Sequence, residues 1–174
     1  MRKYADASSK TKQIFDICKD IALQSQMRSK HCAALVRNGK IITIDCNYYG
    51  SDKNSFSVHS ESNLQRKISK VSYKLKDRCN YSLYVVRYSK SSGFMNSKPC
   101  SECAKCIKSS MPYVNKVFYS YDNDTYICKN KIELDTNHVS LGYRFFKDVD
   151  TISKKRNKNR IRNKKNNKNN KNRK

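Results

Sequence analysis

The chain has 174 residues, 38 of them Lys or Arg against 14 Asp or Glu, for a formal net charge of +24. That length suits one domain whose core needs no disulfide staples. The N-terminus has no apolar run that would serve as a signal peptide, and no stretch nears the ~20 apolar residues that span a bilayer. The expected setting is a reducing, intracellular one, cytoplasmic or nuclear, in which eight cysteines serve packing, metal binding or catalysis rather than disulfides.

In chain order, residues 9 to 26 predict a helix capped by Ser9, with Ile14, Ile17, Cys18, Ile21 and Leu23 on its apolar face. Residues 32 to 37 predict a strand. Asn38-Gly39 is a strong hairpin signal, and residues 40 to 47 return as a second strand. After a polar loop over 48 to 58, Leu64, Ile68, Val71 and Leu75 predict a helix from 60 to about 75, with His59 and Glu61 at its start. Residues 81 to 88 predict a buried third strand. Pro99 suits the approach to a third helix over 100 to 110, which Pro112 ends. Residues 116 to 121 predict a fourth strand, and 125 to 134 a fifth. Only a short turn joins these two, too short for a parallel crossover, so the fifth strand runs antiparallel to the fourth. The result is a mixed five-stranded sheet flanked by helices.

Two of these helix starts carry the chemistry. Cys100 and Cys103 are spaced so that one helical turn aims both sulfurs at one ion, and His59 can add a nitrogen. Three protein ligands leave a fourth zinc position for water, whereas structural zinc sites use four. Glu61, two residues past His59, can move protons for that water. Either half alone is a weak signal: H-x-E recurs by chance, and C-x-x-C also serves redox or structural roles. Their joint placement at strand-to-helix junctions is what gives them weight. Cys106 extends the pattern to C-x-x-C-x-x-C, but it lies one turn deeper in the helix and reads as a buried thiol rather than a fourth ligand. Cys18, Cys32, Cys46 and Cys128 read as buried thiols. Glu102 reads as solvent-facing, and His31 and His138 read as structural.

His59-Ser60-Glu61 with Pro99-Cys100-Ser101-Glu102-Cys103 resembles the signature of the zinc-dependent cytidine and deoxycytidylate deaminase superfamily. The resemblance runs from about Cys32 to about Tyr121. It implies a three-layer α/β/α cytidine-deaminase-like fold, one Zn²⁺ held by His59, Cys100 and Cys103, and Glu61 as the proton shuttle. It further implies substrate contacts from Asn47 and from the backbone at Ser60, a position usually held by Ala, and a homo-oligomer. The implied reaction is hydrolytic deamination of a cytosine nucleoside or nucleotide to the uracil form. The short turn into strand five looks like the cytidine and blasticidin deaminases. The polynucleotide-editing enzymes carry Ser-Trp-Ser before the Pro-Cys, and this chain has Asn96-Ser97-Lys98 and no Trp.

The expected organisation is a catalytic domain over 1–150 and a disordered basic tail over 151–174. That tail holds twelve Lys or Arg, eight Asn and no acid, so half of the net charge sits there. It can bind phosphate backbones through counterion release, act as an import signal, or be a solvated low-complexity run. Two alternatives therefore stand beside a small-molecule deaminase. One is a polynucleotide cytosine or adenosine deaminase that holds RNA or DNA through the tail. The other is a non-catalytic, zinc-stabilised nucleic-acid-binding relic, which gives Glu61 no role. Most of the twelve Tyr, such as Tyr81, Tyr84 and Tyr119, fall at strand positions where packing explains them.

Overall fold

The turn at Asn38-Gly39 closes the first hairpin of the sheet. Both residues have positive φ, 50° and 75°, the two-residue geometry whose twist matches that of the flanking strands. It joins β2 (Lys30–Arg37) to β3 (Lys40–Cys46), with Arg37 opposite Lys40 and Cys32 opposite Cys46. The computed structural model describes residues 1–50, 57–70 and 80–140. Met1–His138 is one compact unit; the chain from Val139 forms a second, of which all but two residues lie outside the described ones. The expected basic tail, and Val71 and Leu75 of the second helix, therefore lie outside the described residues.

The remaining strands are β1 (Arg2–Lys3), β4 (Tyr81–Ser89), β5 (Gly93–Met95), β6 (Val114–Ser120) and β7 (Thr125–Asn130). Their order in the sheet is β1-β7-β6-β4-β2-β3, with β5 paired to the far end of β4. β4 and β6 are parallel and all other pairs antiparallel, including β6 with β7 as the short turn requires. The sheet has seven strands rather than five because β1 and β5, two and three residues long, were not visible as patterns. The fifth predicted strand also ends earlier, at Asn130. Residues Lys131–Glu133 turn as a 3-10 helix, and Lys131 Nζ donates to the carbonyls of Met111 and Pro112.

Strand alternation builds the three layers. Ala33, Leu35, Leu83, Val85, Val117 and Tyr119 share one core with Leu64 and Ile68 of α2 (Ser60–Ser69) and Ala104 and Ile107 of α3 (Ser101–Ser110). Cys32, Ala34, Val36, Tyr84 and Val86 face the other way, onto Ile14, Phe15, Cys18 and Ala22 of α1 (Ser9–Leu23). Phe15 centres an aromatic group there, with ring centroids 5.5 Å from Tyr84 and from Tyr126 and 5.9 Å from Tyr4. Ile17, expected on that face, is 38% exposed, and Phe15 and Ala22 take the buried stripe instead.

Two helix limits also differ from expectation. Ser8, not Ser9, caps α1, its Oγ accepting the Thr11 N–H at 3.2 Å. α1 stops at Leu23 because Lys30 Nζ donates to the carbonyls of Leu23 and Ser25, which a continuing helix would use. Cys46, Cys106 and Cys128 are half-buried rather than buried; Cys18 and Cys32 are buried as expected. Among the described residues no helix is long and apolar enough to cross a membrane.

Candidate active site

The N-terminal ends of α2 and α3 meet over one end of the sheet. Tyr48 and Val58 pair as an isolated bridge, which brings the chain back to the end of β3 just before His59. Ser97 Oγ donates to Val85 O at 2.8 Å, which ties the approach to α3 to β4. His59 and Cys100 are the N-cap residues of α2 and α3, both with extended backbone and neither with a side-chain capping bond. At both positions the side chain turns away from the helix and toward the other helix start.

The result is a cluster in which ligand atoms of His59, Cys100 and Cys103 all lie within 4.8 Å of one another. His59 Nδ1 is 3.3 Å from Cys103 Sγ and 3.5 Å from Cys100 Sγ. Bonds of ~2.3 Å to sulfur and ~2.0–2.1 Å to nitrogen place tetrahedral zinc ligands about 3.5–3.8 Å apart, so this donor set fits zinc with little movement. Cys106 is not part of the cluster, and three protein ligands is the count that a water-binding site needs. A hydrogen bond from the Cys103 thiol pulls Cys100 down to about 4, with His59 adding to the effect. The same bond and burial push Cys103 up. The bond to Cys100 raises His59, and burial opposes it. A divalent ion would replace this shared proton and take both sulfurs as thiolates.

Glu61 lies in the first turn of α2, 5% exposed. Burial raises its pKa, against the nearby His59 and its own hydrogen bonds, one of them from Ser60 Oγ to Oε2 at 3.1 Å. A carboxyl with a raised pKa beside a candidate metal site is suited to accept a proton and give it back. Ser60 is fully buried, so its hydroxyl is spent on Glu61.

Asn47 sits at the end of β3 with its side chain engaged on the backbone: Oδ1 accepts the His31 N–H at 2.8 Å, and Nδ2 donates to Ser29 O at 2.7 Å. One amide hydrogen and one lone pair remain for a substrate. Glu102 is partly exposed and pairs with Lys105 at 3.0 Å. His138 is exposed, and its carbonyl accepts the Ser101 N–H at 2.8 Å, next to Cys100. Sequence reasoning took His31 as structural and did not single out Arg87. They are register partners on β2 and β4, and the charges of Arg87 and His59 both act on His31. A lone arginine inside the apolar run Leu83-Tyr84-Val85-Val86-Arg87-Tyr88 was the available signal.

No protein-family model matches the chain, and no curated protein matches it. A solved cytidine deaminase from Burkholderia pseudomallei does, with a TM-score of 0.56 at 15% identity over 74% of this chain and 98% of that one. The chain has the cytidine deaminase fold. Weaker matches are a dCMP deaminase from cyanophage S-TIM5 (TM-score 0.46, 23% identity, 65% of this chain and 84% of that one) and a mutant cytidine deaminase from Mycobacterium tuberculosis (TM-score 0.49, 11% identity, 78% and 100%). On the cytidine deaminase fold of this chain, the three-ligand cluster sits at the carboxyl ends of the parallel strands β4 and β6, where open α/β sheets place their ligands.

Proposed function

We propose that the protein is a zinc-dependent hydrolytic deaminase acting on a cytosine nucleoside or nucleotide. His59, Cys100 and Cys103 would hold one zinc ion, and Glu61 would be the proton shuttle. The observation that carries the reading is the buried Glu61 carboxyl in the first turn that follows the His59 ligand. A structural zinc site has no use for a buried acid of raised pKa, which speaks against a non-catalytic relic.

Bound zinc would supply acidity, bringing the pKa of its water from 15.7 to about 7. Glu61 accepts one proton from the water that attacks C4 of the cytosine ring and delivers it to ring N3, then takes the second from the C4 hydroxyl so formed and delivers it to the departing amino nitrogen. Water and cytosine thus become uracil and ammonia. Ser60 Oγ, bonded to Oε2, holds the carboxyl in place for this transfer. Asn47 holds Ser29 and His31 through their backbones, and its remaining donor and acceptor are available to the substrate. Purified protein should carry about one zinc per chain and release ammonia from cytidine or a cytosine nucleotide. Zinc-loaded protein that releases none from either would end the reading.

A second reading has one observation in its favour. The bond from Ser101 N to His138 O fixes the last residues of the compact unit beside the cysteine ligands, and the chain runs on from there into the twelve cationic residues of 151–174. A polynucleotide bound by that stretch would be linked to the unit that carries the site through residues 139–150. The twelve residues 139–150 span at most about 40 Å. Deleting 151–174 separates the readings: unchanged kinetics on small substrates support the first. Turnover confined to oligonucleotides and lost on deletion supports the second.

A further inference from the structure

The sheet beneath the cluster presents a cation that no part of the proposed chemistry uses. Along β4, Leu83 and Val85 point into the core shared with α2 and α3, so alternation puts Arg87 on that same side, one step nearer the strand's end. Along β2, Ala33 and Leu35 point the same way, and His31 follows by the same rule. His31 and Arg87 face each other in register. Both therefore lie on the face, and at the end, over which the starts of α2 and α3 meet.

The position of Arg87 is fixed by the network that fixes the cysteine helix. Its backbone N–H donates to Ser120 Oγ at 3.2 Å, and Ser120 Oγ donates to Met95 O at 2.7 Å. Ser97, which ties the approach to Cys100 onto Val85 O, has its Oγ 2.9 Å from that of Ser120. Its guanidinium, by contrast, has no ion pair or hydrogen bond among the described residues. Three acids on this side of the sheet have other partners: Asp45 pairs with Lys67 at 2.5 Å, Glu102 with Lys105, and Glu61 accepts from Ser60. His31 offers no countercharge. Burial, then the charges of Arg87 and His59, lower its pKa to about 3, so it faces Arg87 as a neutral ring whose Nε2 meets Ser29 Oγ at 3.1 Å.

A half-buried guanidinium without a counterion is costly unless a ligand supplies the anion. Its planar fork matches the oxygens of a phosphate, and such charge-assisted pairs are about twice as strong as neutral ones. We propose that Arg87, with His31 beside it, is the phosphate-binding residue of this site, and that the substrate is a phosphorylated cytosine nucleoside rather than a free one. This rests on the deaminase reading above. The phosphate belongs either to a mononucleotide or to the backbone of a strand, and the two sources are separable by experiment.

The experiment uses the zinc-loaded full chain and measures ammonia release from cytidine, deoxycytidine, their 5′-monophosphates and a short cytosine-containing oligonucleotide. The monophosphates should exceed the nucleosides in kcat/KM by ~10–100-fold, the range that hydrogen bonds to a charged group supply. Arg87→Gln should erase that ratio chiefly by raising KM for the monophosphates, and Arg87→Lys should partly restore it. A preference for the oligonucleotide that Arg87→Gln also erases would assign the phosphate to a strand. Equal losses on nucleoside and monophosphate, or no ratio in the wild type, would overturn the proposal. Inorganic phosphate gives a readout independent of turnover. It should raise the Tm of the wild type and not of Arg87→Gln, and no shift in the wild type sinks the anion site. Should no substrate be deaminated, the functional reading fails while the phosphate shift still decides the site. Should Arg87→Gln not fold, competition of phosphate with nucleoside turnover in the wild type decides it: inhibition supports the site, and its absence overturns it.

Discussion

The helices on the two faces of this sheet begin in opposite ways. On one face α1 starts with a serine that does what an N-cap residue usually does, accepting the Thr11 N–H with its hydroxyl. On the other face α2 and α3 start with His59 and Cys100, and neither side chain caps its helix. The first face closes on an aromatic group around Phe15; on the second, three potential ligand atoms converge at one end and a buried acid follows His59. Local stability rules are satisfied where the fold is only being held together. They are broken at the two helix starts whose side chains form the candidate metal site.

The largest effect that would sharpen this contrast belongs to Glu61. Glu61→Ala should lower turnover by at least the ~10²–10⁴-fold that proton transfer typically contributes, while zinc content stays at about one per chain. Removing a buried carboxyl whose pKa burial raises should leave the fold intact or slightly firmer. Retained turnover would remove Glu61 from the mechanism. Next in size is Phe15→Ala on the closed face. Phe15 is 1% exposed and touches Tyr4, Tyr84 and Tyr126, so the cavity should cost about 3–5 kcal/mol. In a unit of this size that lowers Tm by roughly 10–15 °C. Metal content per folded molecule should not change. If Phe15→Ala abolished zinc binding at a temperature where it is folded, the two faces would not be independent.

How much of this was legible in the sequence divides along the same line. The meeting of His59, Cys100 and Cys103 was readable because their spacing obeys helical geometry and both halves of the motif fall at a helix N-terminus. The Asn38-Gly39 turn was readable because few residue pairs adopt two successive positive φ angles. The buried stripe of α1 was half-readable: Ile14, Cys18 and Ile21 belong to two overlapping stripes, one continuing through Phe15 and Ala22 and one through Ile17. Only the sheet's own surface chooses between them. β1 and β5 were not readable, since two or three residues carry no period. Arg87 and His31 were not placed together because their meeting depends on the β2–β4 register across more than fifty residues of chain.

That pair offers a test through pH. His31 has its pKa lowered from 6.5 to about 3, by burial first. Between those values the unfolded chain binds a proton that the folded one excludes, so stability falls as pH drops through 6.5 and goes on falling toward 3. The slope from this one group is about 1.4 kcal/mol per pH unit. His31→Asn should flatten the difference in Tm between pH 7 and pH 5 relative to the wild type. Parallel Tm profiles for the two proteins would show that His31 is not held neutral.

The smallest expected effect bears most directly on the two kinds of helix start, because it predicts opposite signs at equivalent positions. Ser8→Ala removes a working cap and should destabilise the protein by about 1 kcal/mol. Cys100→Ser does the reverse in metal-free protein. It places a preferred N-cap residue where a thiol now makes no capping bond, and should raise metal-free stability by up to about 1 kcal/mol, less what is lost with the thiol's bonds to His59 and Cys103. Adding zinc should then reverse the ranking. The wild type gains stability in proportion to ln(1 + [Zn]/Kd), whereas Cys100→Ser, with one ligand weakened, gains little. Measuring Tm for both proteins with and without zinc gives four values, and the crossing is the prediction. If Cys100→Ser is less stable than wild type in both conditions, then Cys100 contributes to the metal-free fold in its own right, and a cap was not what the site displaced.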